Sequence, residues 1–278
     1  MKQGFVKVAS ATPRIRVADP VYNAQVICEQ AKEAAEHGAK IVVFPELCIT
    51  GYTCNDLFLQ ELLLEKAKEA LLTIAEETGQ LETLFLVGLP VDKDGRLYNV
   101  AAVLYRGRIL GMIPKKNIPM YAEFYEGRHF TPGEETVTEY RLGKQVIPFG
   151  SNLLFRCEEL PELILGCELC EDLWVAEPPS TSHALMGATV IANLSASNET
   201  VSKDDYRTLL IKASSARLLC GYIYTSAGEG ESTQDLVFGG HDLIAENGTL
   251  LVQSARFTTG ILYTDLDVLK ISSERRRM

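Results

Sequence analysis

Apolar residues along this chain fall into two alternating patterns. Short unbroken runs, FVKVASATP at 5–13, KIVVFPEL at 40–47 and LFLVGLPV at 84–91, have the form of strands buried on both faces. Between them lie stretches in which apolar positions recur every three or four residues. The segment 19–37 predicts a helix: Asp19 caps it, Pro20 suits its first turn, and Ala24, Ile27, Cys28, Ala31, Ala34 and Ala35 share a face before Gly38 ends it. A second helix is expected over much of 57–78, with Leu63, Ala67, Ala70, Leu71 and Ile74 in one stripe. Segment 92–116 predicts two further strands, preceded by turns at Asp94-Gly95 and Arg106-Gly107. The second half continues the alternation, with strands at ELILGCELC, TVIANLSAS and GYIYTSAG, helices at STSHALMGA and DYRTLLIKASSARLLC, a hairpin turning at Asn247-Gly248, and a last strand at GILYTDLDV. Strands and helices alternating in this way predict α/β architecture, with sheets covered by helices.

No linker rich in proline, glycine or serine divides the 278 residues, so one domain over 1–278 is expected. No run approaches the roughly eighteen apolar residues of a membrane helix, and the first residues lack the apolar stretch of a signal peptide. A cytoplasmic protein without a membrane partner is the expectation. A net charge of −10 disfavours nucleic acid, which is bound by accumulated lysine and arginine.

Seven cysteines, an odd set, are expected to be mostly reduced packing residues. The segment GCELCEDLW at 166–174 places two of them three apart beside a run of acids. Structural zinc takes four Cys or His ligands, whereas this CxxC stands alone and the four histidines are scattered, so no metal site is expected. A redox pair belongs beyond a strand end, yet Cys167 falls inside the apolar run. That leaves Cys170 at the strand's end, either as a structural thiol or as a functional one. Glu46 and Lys115 close other apolar runs, so three strand ends offer an acid, an ammonium and a thiol.

FPEL at 44–47 with TGY at 50–52, PKKNIP at 114–119, EFYEGRHFTPG at 123–133 and CED at 170–172 resemble the signature segments of the nitrilase, or carbon–nitrogen hydrolase, superfamily, in its order and spacing. Within it, GCELCEDLW, ATVIANLSAS, GEGESTQDLVFGGHDLIAENG and YAEFYE are similar to the glutaminase domains of glutamine-dependent NAD synthetases. The resemblance spans nearly the whole chain and implies a four-layer α-β-β-α sandwich. It places the family's acid, lysine and nucleophile on Glu46, Lys115 and Cys170, with Lys116 as the competing lysine and Glu126 as a second glutamate. It also puts Tyr52, Tyr121, Glu171 and Ser197 around glutamine, with Glu171 and Ser197 at its amino-acid head.

The implied activity is hydrolysis of glutamine through a cysteine thioester, with the ammonia passed to a synthetase domain that amidates deamido-NAD. Neither SGGxDS nor GxxxxGK[ST] occurs in these residues, so ATP and magnesium are expected only in that other domain and no cofactor in this one. The charged end SSERRRM suggests one part of a longer protein, and a homo-oligomer is expected. Alternatives are a free-standing amidase or carbamoylase of the same fold, or a non-catalytic module. A Ser-His-Asp hydrolase would need a GxSxG elbow, which is missing.

Overall fold

The computed structural model describes residues 3–277. Met1, Lys2 and Met278, the outermost residues of the leading segment and of the basic end, lie outside them. In chain order the elements are β1 (Phe5–Thr12), α1 (Pro20–Glu36), β2 (Ile41–Val43), α2 (Glu61–Glu77), β3 (Leu84–Lys93), β4 (Arg96–Tyr105), β5 (Arg108–Pro114), β6 (Thr138–Leu142) and β7 (Gln145–Phe149). They continue with β8 (Phe155–Arg156), β9 (Ile164–Leu169), α3 (Pro179–Leu185), β10 (Val190–Ser195), α4 (Lys203–Leu218), β11 (Gly221–Ser226), β12 (Leu243–Glu246), β13 (Thr249–Gln253), β14 (Gly260–Asp267) and α5 (Val268–Arg275).

The strands form two sheets, ordered β14-β1-β2-β3-β4-β5-β7-β6 and β13-β12-β11-β10-β9-β8. Their facing sides pack Val8, Val43, Leu86 and Val103 against Leu165, Cys167, Ala192 and Ile223. This dry middle layer explains why these strands are continuously apolar: one face meets the other sheet and the opposite face meets helices. On the outer face of the larger sheet, Ala24, Ile27 and Ala31 of α1 and Ala67, Leu71 and Ile74 of α2 bury against Val42, Phe85 and Val87. Ile211 of α4 covers Ile191, Tyr222 and Leu243 of the smaller one. The result is the expected four-layer α-β-β-α sandwich.

Three two-residue turns behave as their sequences predict. Asp94 and Gly95 (φ 54° and 72°), Arg106 and Gly107 (47° and 75°) and Asn247 and Gly248 (46° and 84°) are all left-handed, the combination that matches the twist of a tight hairpin. Other expectations needed adjustment. The second helix starts at Glu61, because 52–59 is a 3-10 segment interrupted by non-helical backbone at Thr53 and Asn55. β2 stops at Val43, and Glu46 lies in the turn after it. The β6–β7 hairpin and α5 left little trace in the apolar pattern: only Tyr140, Ile147 and Phe149 of the hairpin and Val268 and Ile271 of the helix are buried. Edge elements need only one narrow apolar face.

β1, β2 and β3 run parallel, and β5 shares their direction through two antiparallel steps. β9, β10 and β11 are parallel in the other sheet. The turns after β2, β5, β9 and β10 therefore emerge in sets and meet, since Glu46 N–H donates to Ser195 O at the end of β10 (3.3 Å).

Candidate active site

The turn carrying Glu46 is shaped by close backbone approach. Pro45 has no N–H to pair, Leu47 adopts φ 52°, and β3 passes so near that a Cβ on Gly88 would lie 2.3 Å from Leu47 N. Only glycine fits there, and the packing drives Glu46 inward, where it is fully buried. Lys115 follows the end of β5 and is tied to β4 by its N–H to Asn99 O (2.8 Å). Cys170 starts a 3-10 turn, Cys170–Leu173, immediately after β9 and has φ 41°. A left-handed backbone costs a non-glycine residue about 1 kcal/mol or more. Asp172 offsets it by accepting from Leu169 N (3.0 Å) and Asn117 N (2.8 Å), fastening the turn to the segment after Lys115.

These turns bring the three expected residues into one buried cluster. Lys115 Nζ donates to Glu46 Oε1 (2.7 Å) and to Glu126 Oε1 (2.6 Å). Asn99 Nδ2 also donates to Glu46 Oε1 (2.7 Å) and reaches Glu126 Oε2 (3.5 Å). Glu46 Oε2 accepts from the Ala196 amide (2.9 Å) at the end of β10, and the same amide stabilises the thiolate form of Cys170. The two oxygens of Glu46 thus differ: Oε1 takes the Lys115 ammonium and the Asn99 amide, while Oε2 takes one backbone N–H.

Burial and the two glutamates push the Cys170 thiol up, against the pull of Lys115, so the resting sulfur is protonated and needs a base. Burial alone would discharge Lys115, but Glu126 and Glu46 hold its pKa well above the ordinary lysine value. Burial raises Glu126, opposed by Lys115 and reinforced by Glu46. Two buried carboxylates and one buried ammonium form a stable set only as a complete network.

Lys116, the competing lysine, points outward and pairs with exposed Glu135. Glu126 is no surface acid: it is 5% exposed and also accepts from Tyr52 Oη (2.8 Å). Tyr52 forms part of the wall of a cleft that also includes Phe58, Glu123, Tyr125, Glu126 and Leu236. Tyr121 is exposed and donates to Glu171 Oε2 (2.9 Å). Ser197 is buried, its N–H donating to Ser226 Oγ (3.2 Å), while its hydroxyl accepts from Arg207 Nη2 (3.3 Å). Cys167 packs between the sheets, as its place in β9 demands.

Several residues of this region gave no signal in the sequence. Asn99 is a lone amide in an apolar strand and Asp172 looks like part of a charged run, so only their partners reveal them. Lys203, at the start of α4, donates to Asn198 Oδ1 and lies over the rings of Trp174 (5.1 Å) and Phe124 (5.5 Å). Burial lowers its pKa, while Cys170, Glu123 and Glu171 act to raise it. Among the described residues, no group of three or more His, Cys, Asp or Glu side chains is placed to hold a metal ion, and no helix is long and apolar enough to cross a membrane.

Comparison with known proteins shows the family. The chain is 43% identical over 279 aligned positions to the glutamine-dependent NAD(+) synthetase of Mycobacterium tuberculosis H37Rv, covering 100% of this chain and 41% of that protein. It is 42% identical to the Mycobacterium leprae enzyme, over 99% of this chain and 41% of that one. The crystal structure of a glutamine-dependent NAD(+) synthetase from Cytophaga hutchinsonii superposes with a TM-score of 0.85 at 28% identity, covering 94% of this chain and 43% of its own. An amidase from Nesterenkonia sp. shares the fold at TM-score 0.74 and 21% identity, over 100% of this chain and 97% of its own. The chain spans about two fifths of the length of the curated relatives it matches. The carbon–nitrogen hydrolase model matches residues 7–276, taking in every turn that builds the buried cluster, and the chain belongs to the carbon–nitrogen hydrolase family.

Proposed function

We propose that this chain hydrolyses the side-chain amide of glutamine and that its ammonia serves an NAD synthetase domain. The observation carrying the chemistry is the burial of the Cys170 thiol among the charges of Glu46, Lys115 and Glu126, with Glu46 Oε1 held by Lys115 and Asn99 and Oε2 by the Ala196 amide. Glu46 Oε2 takes the thiol proton as the sulfur attacks the amide carbon. Lys115 and the Glu171 N–H stabilise the oxyanion, a contribution of roughly 3–4 kcal/mol per well-placed donor. The proton passes to the departing nitrogen, leaving a thioester. Water, deprotonated by Glu46, then cleaves the thioester, releasing glutamate and restoring the thiol. Glu126 keeps Lys115 charged and placed.

Recognition of an amino-acid head needs an anion for the ammonium and a cation for the carboxylate. Glu171 and Lys203 supply the two charges beside the nucleophile, with Tyr121 and Ser197 as hydrogen-bonding neighbours. The relatives are named for glutamine-dependent NAD(+) synthesis, which supports the same substrate and the same acceptor domain. On this reading the chain works with its own side chains, and ATP with magnesium acts only in the synthetase. A homo-oligomer belongs to the same proposal, supported by exposed Leu185 at the end of α3, Met186 beside it and Leu209 on α4, and sedimentation velocity tests it.

The deciding experiment measures ammonia release from glutamine, simple aliphatic amides and N-carbamoyl amino acids, with acid-quench peptide mass spectrometry of Cys170. Glutamine should be preferred, with a glutamyl mass on the Cys170 peptide. Preference for a carbamoyl compound or simple amide would replace this substrate assignment, and a modified Cys167 would replace the nucleophile.

A further inference from the structure

Glu231 lies in the segment between β11 and β12 and takes no part in the chemistry above. It is only 9% exposed, and burial raises its carboxyl pKa. Its three donors all come from one other loop. Tyr52 N–H donates to Oε1 (2.7 Å), and Thr53 N–H (3.0 Å) and Thr53 Oγ1 (2.6 Å) donate to Oε2. The tie is reciprocal, because Thr53 Oγ1 accepts from Ser232 N (2.9 Å). Three donors on two oxygens demand an acid: a glutamine amide would turn an N–H toward another N–H.

Backbone geometry fixes the carboxylate where it is. Gly230 has φ 106°, and a Cβ there would fall 1.9 Å from Ile15 O. Ile15 N donates to Glu229 O (3.1 Å), so the segment before Glu231 is zipped to the chain after β1. Its other end reaches the same tyrosine, since the Tyr52 and Phe238 rings meet edge to face at 5.8 Å. Tyr52 is therefore gripped at its backbone by Glu231 and at its ring by Phe238. Its hydroxyl ends on Glu126 Oε1, the oxygen that also binds Lys115. Between these grips, Ser232, Gln234, Asp235 and Leu236 line the cleft.

We propose that Glu231 is a positioning residue that locks Tyr52 onto Glu126 and thereby makes the rim segment 232–237 a determinant of the state of the buried Glu126–Lys115 pair. A rim held in place keeps the tyrosine hydroxyl on the carboxylate; a displaced rim removes one donor from a buried anion. Glu126 also faces Lys115, Glu46 and Asn99, so the lost donor leaves it closer to protonation and Lys115 less firmly held. The kinetic part of this inference rests on the glutaminase reading, whereas the geometry does not.

The test compares Glu231→Gln, Tyr52→Phe and the double variant, with Glu229→Gln, an exposed acid paired with Arg14, as a control in the same segment. Two readouts are taken across pH: kcat and KM for glutamine, and the rate of iodoacetamide addition to Cys170 resolved by peptide mass spectrometry. Glu231→Gln is expected to lower kcat roughly tenfold with KM within about threefold, the size of one lost hydrogen bond to a charged group. Its acid limb should move to higher pH, because Tyr52 normally favours the Glu126 anion, and Tyr52→Phe should reproduce both changes. The double variant should be no worse than the more affected single one. Additive losses, or a Glu231→Gln pH profile identical to that of the parent chain, would overturn the proposal. Should Glu231→Gln fail to fold by its thermal melt, Glu231→Asp is read against the same outcomes. If the parent chain leaves glutamine untouched, the glutaminase reading falls, while the pH dependence of Cys170 alkylation still decides the role of Glu231.

Discussion

Replacing Cys170 by alanine removes one sulfur atom from a buried site and leaves the Glu46–Lys115–Glu126 network intact. Ammonia release should fall by at least about a thousandfold while the melting temperature moves by only a few degrees. Cys167→Ala should do the reverse: lost packing between the sheets costs about 1–2 kcal/mol in a urea titration, and turnover stays within a few fold. The two lysines of PKKNIP make a second paired comparison. Lys115→Met strands two carboxylates in a dry interior and should cost about 3–5 kcal/mol of stability as well as the activity. Lys116→Met removes a surface ion pair and should change stability by less than about 1 kcal/mol, with kcat nearly unaltered. Comparable losses from both lysines would undo the assignment of Lys115. Neither contrast follows from residue type, since each pair differs only in where the fold puts it.

The two sheets are tied at the mouth of the sandwich by Asp242, just before β12. It accepts from Thr12 Oγ1 at the end of β1 (2.9 Å) and from Ser226 N at the end of β11 (2.9 Å). Ser226 Oγ in turn receives the Ser197 amide, so the tie reaches the loop after β10. Burial raises the Asp242 pKa from 3.8 to about 7, against the favourable hydrogen bonds from Ser226 and Thr12. A carboxyl raised on folding binds its proton more tightly in the native state than in the unfolded one. Its contribution to stability is complete below pH 3.8 and is lost as the pH climbs through about 7. The stability of the parent chain minus that of Asp242→Asn should therefore fall across this window, by about 2–4 kcal/mol, in urea titrations at successive pH values. A difference independent of pH would show that Asp242 is not protonated in the folded chain near neutrality.

On the proposed reading, glutamine hydrolysis without an acceptor wastes the substrate, and coupling to a synthetase restrains it. The rim supplies the means. Segments 52–58, 123–130 and 232–236 supply the walls of the cleft, and exposed Met120, Tyr121, Tyr125 and Val237 lie along or beside them. Steady-state ammonia release should be weak for residues 1–278 alone. It should rise severalfold when a separately expressed synthetase domain, deamido-NAD and ATP are added. Equal rates in the two conditions would remove the coupling and leave the glutaminase assignment standing.

Much of the architecture could be read along the chain because its physical causes are local. Unbroken apolar runs reflect strands covered on both faces, the stripes of α1 and α2 reflect helices covered on one, and Asp94-Gly95 and Asn247-Gly248 permit the left-handed turns their hairpins need. Glu46, Lys115 and Cys170 were legible through the segments that carry them and their positions after strands. Other features depended on contacts between residues far apart in sequence. Asn99 matters because β4 lays its side chain against a carboxylate 53 positions away, and Glu231 because it caps a loop 179 positions earlier. A buried polar residue has no periodicity of its own, and its meaning lies in its partner. The partners of the two Glu46 oxygens are of the same kind: Lys115 and Asn99 reach one and the Ala196 amide the other only because the turns after β2, β5 and β10 meet.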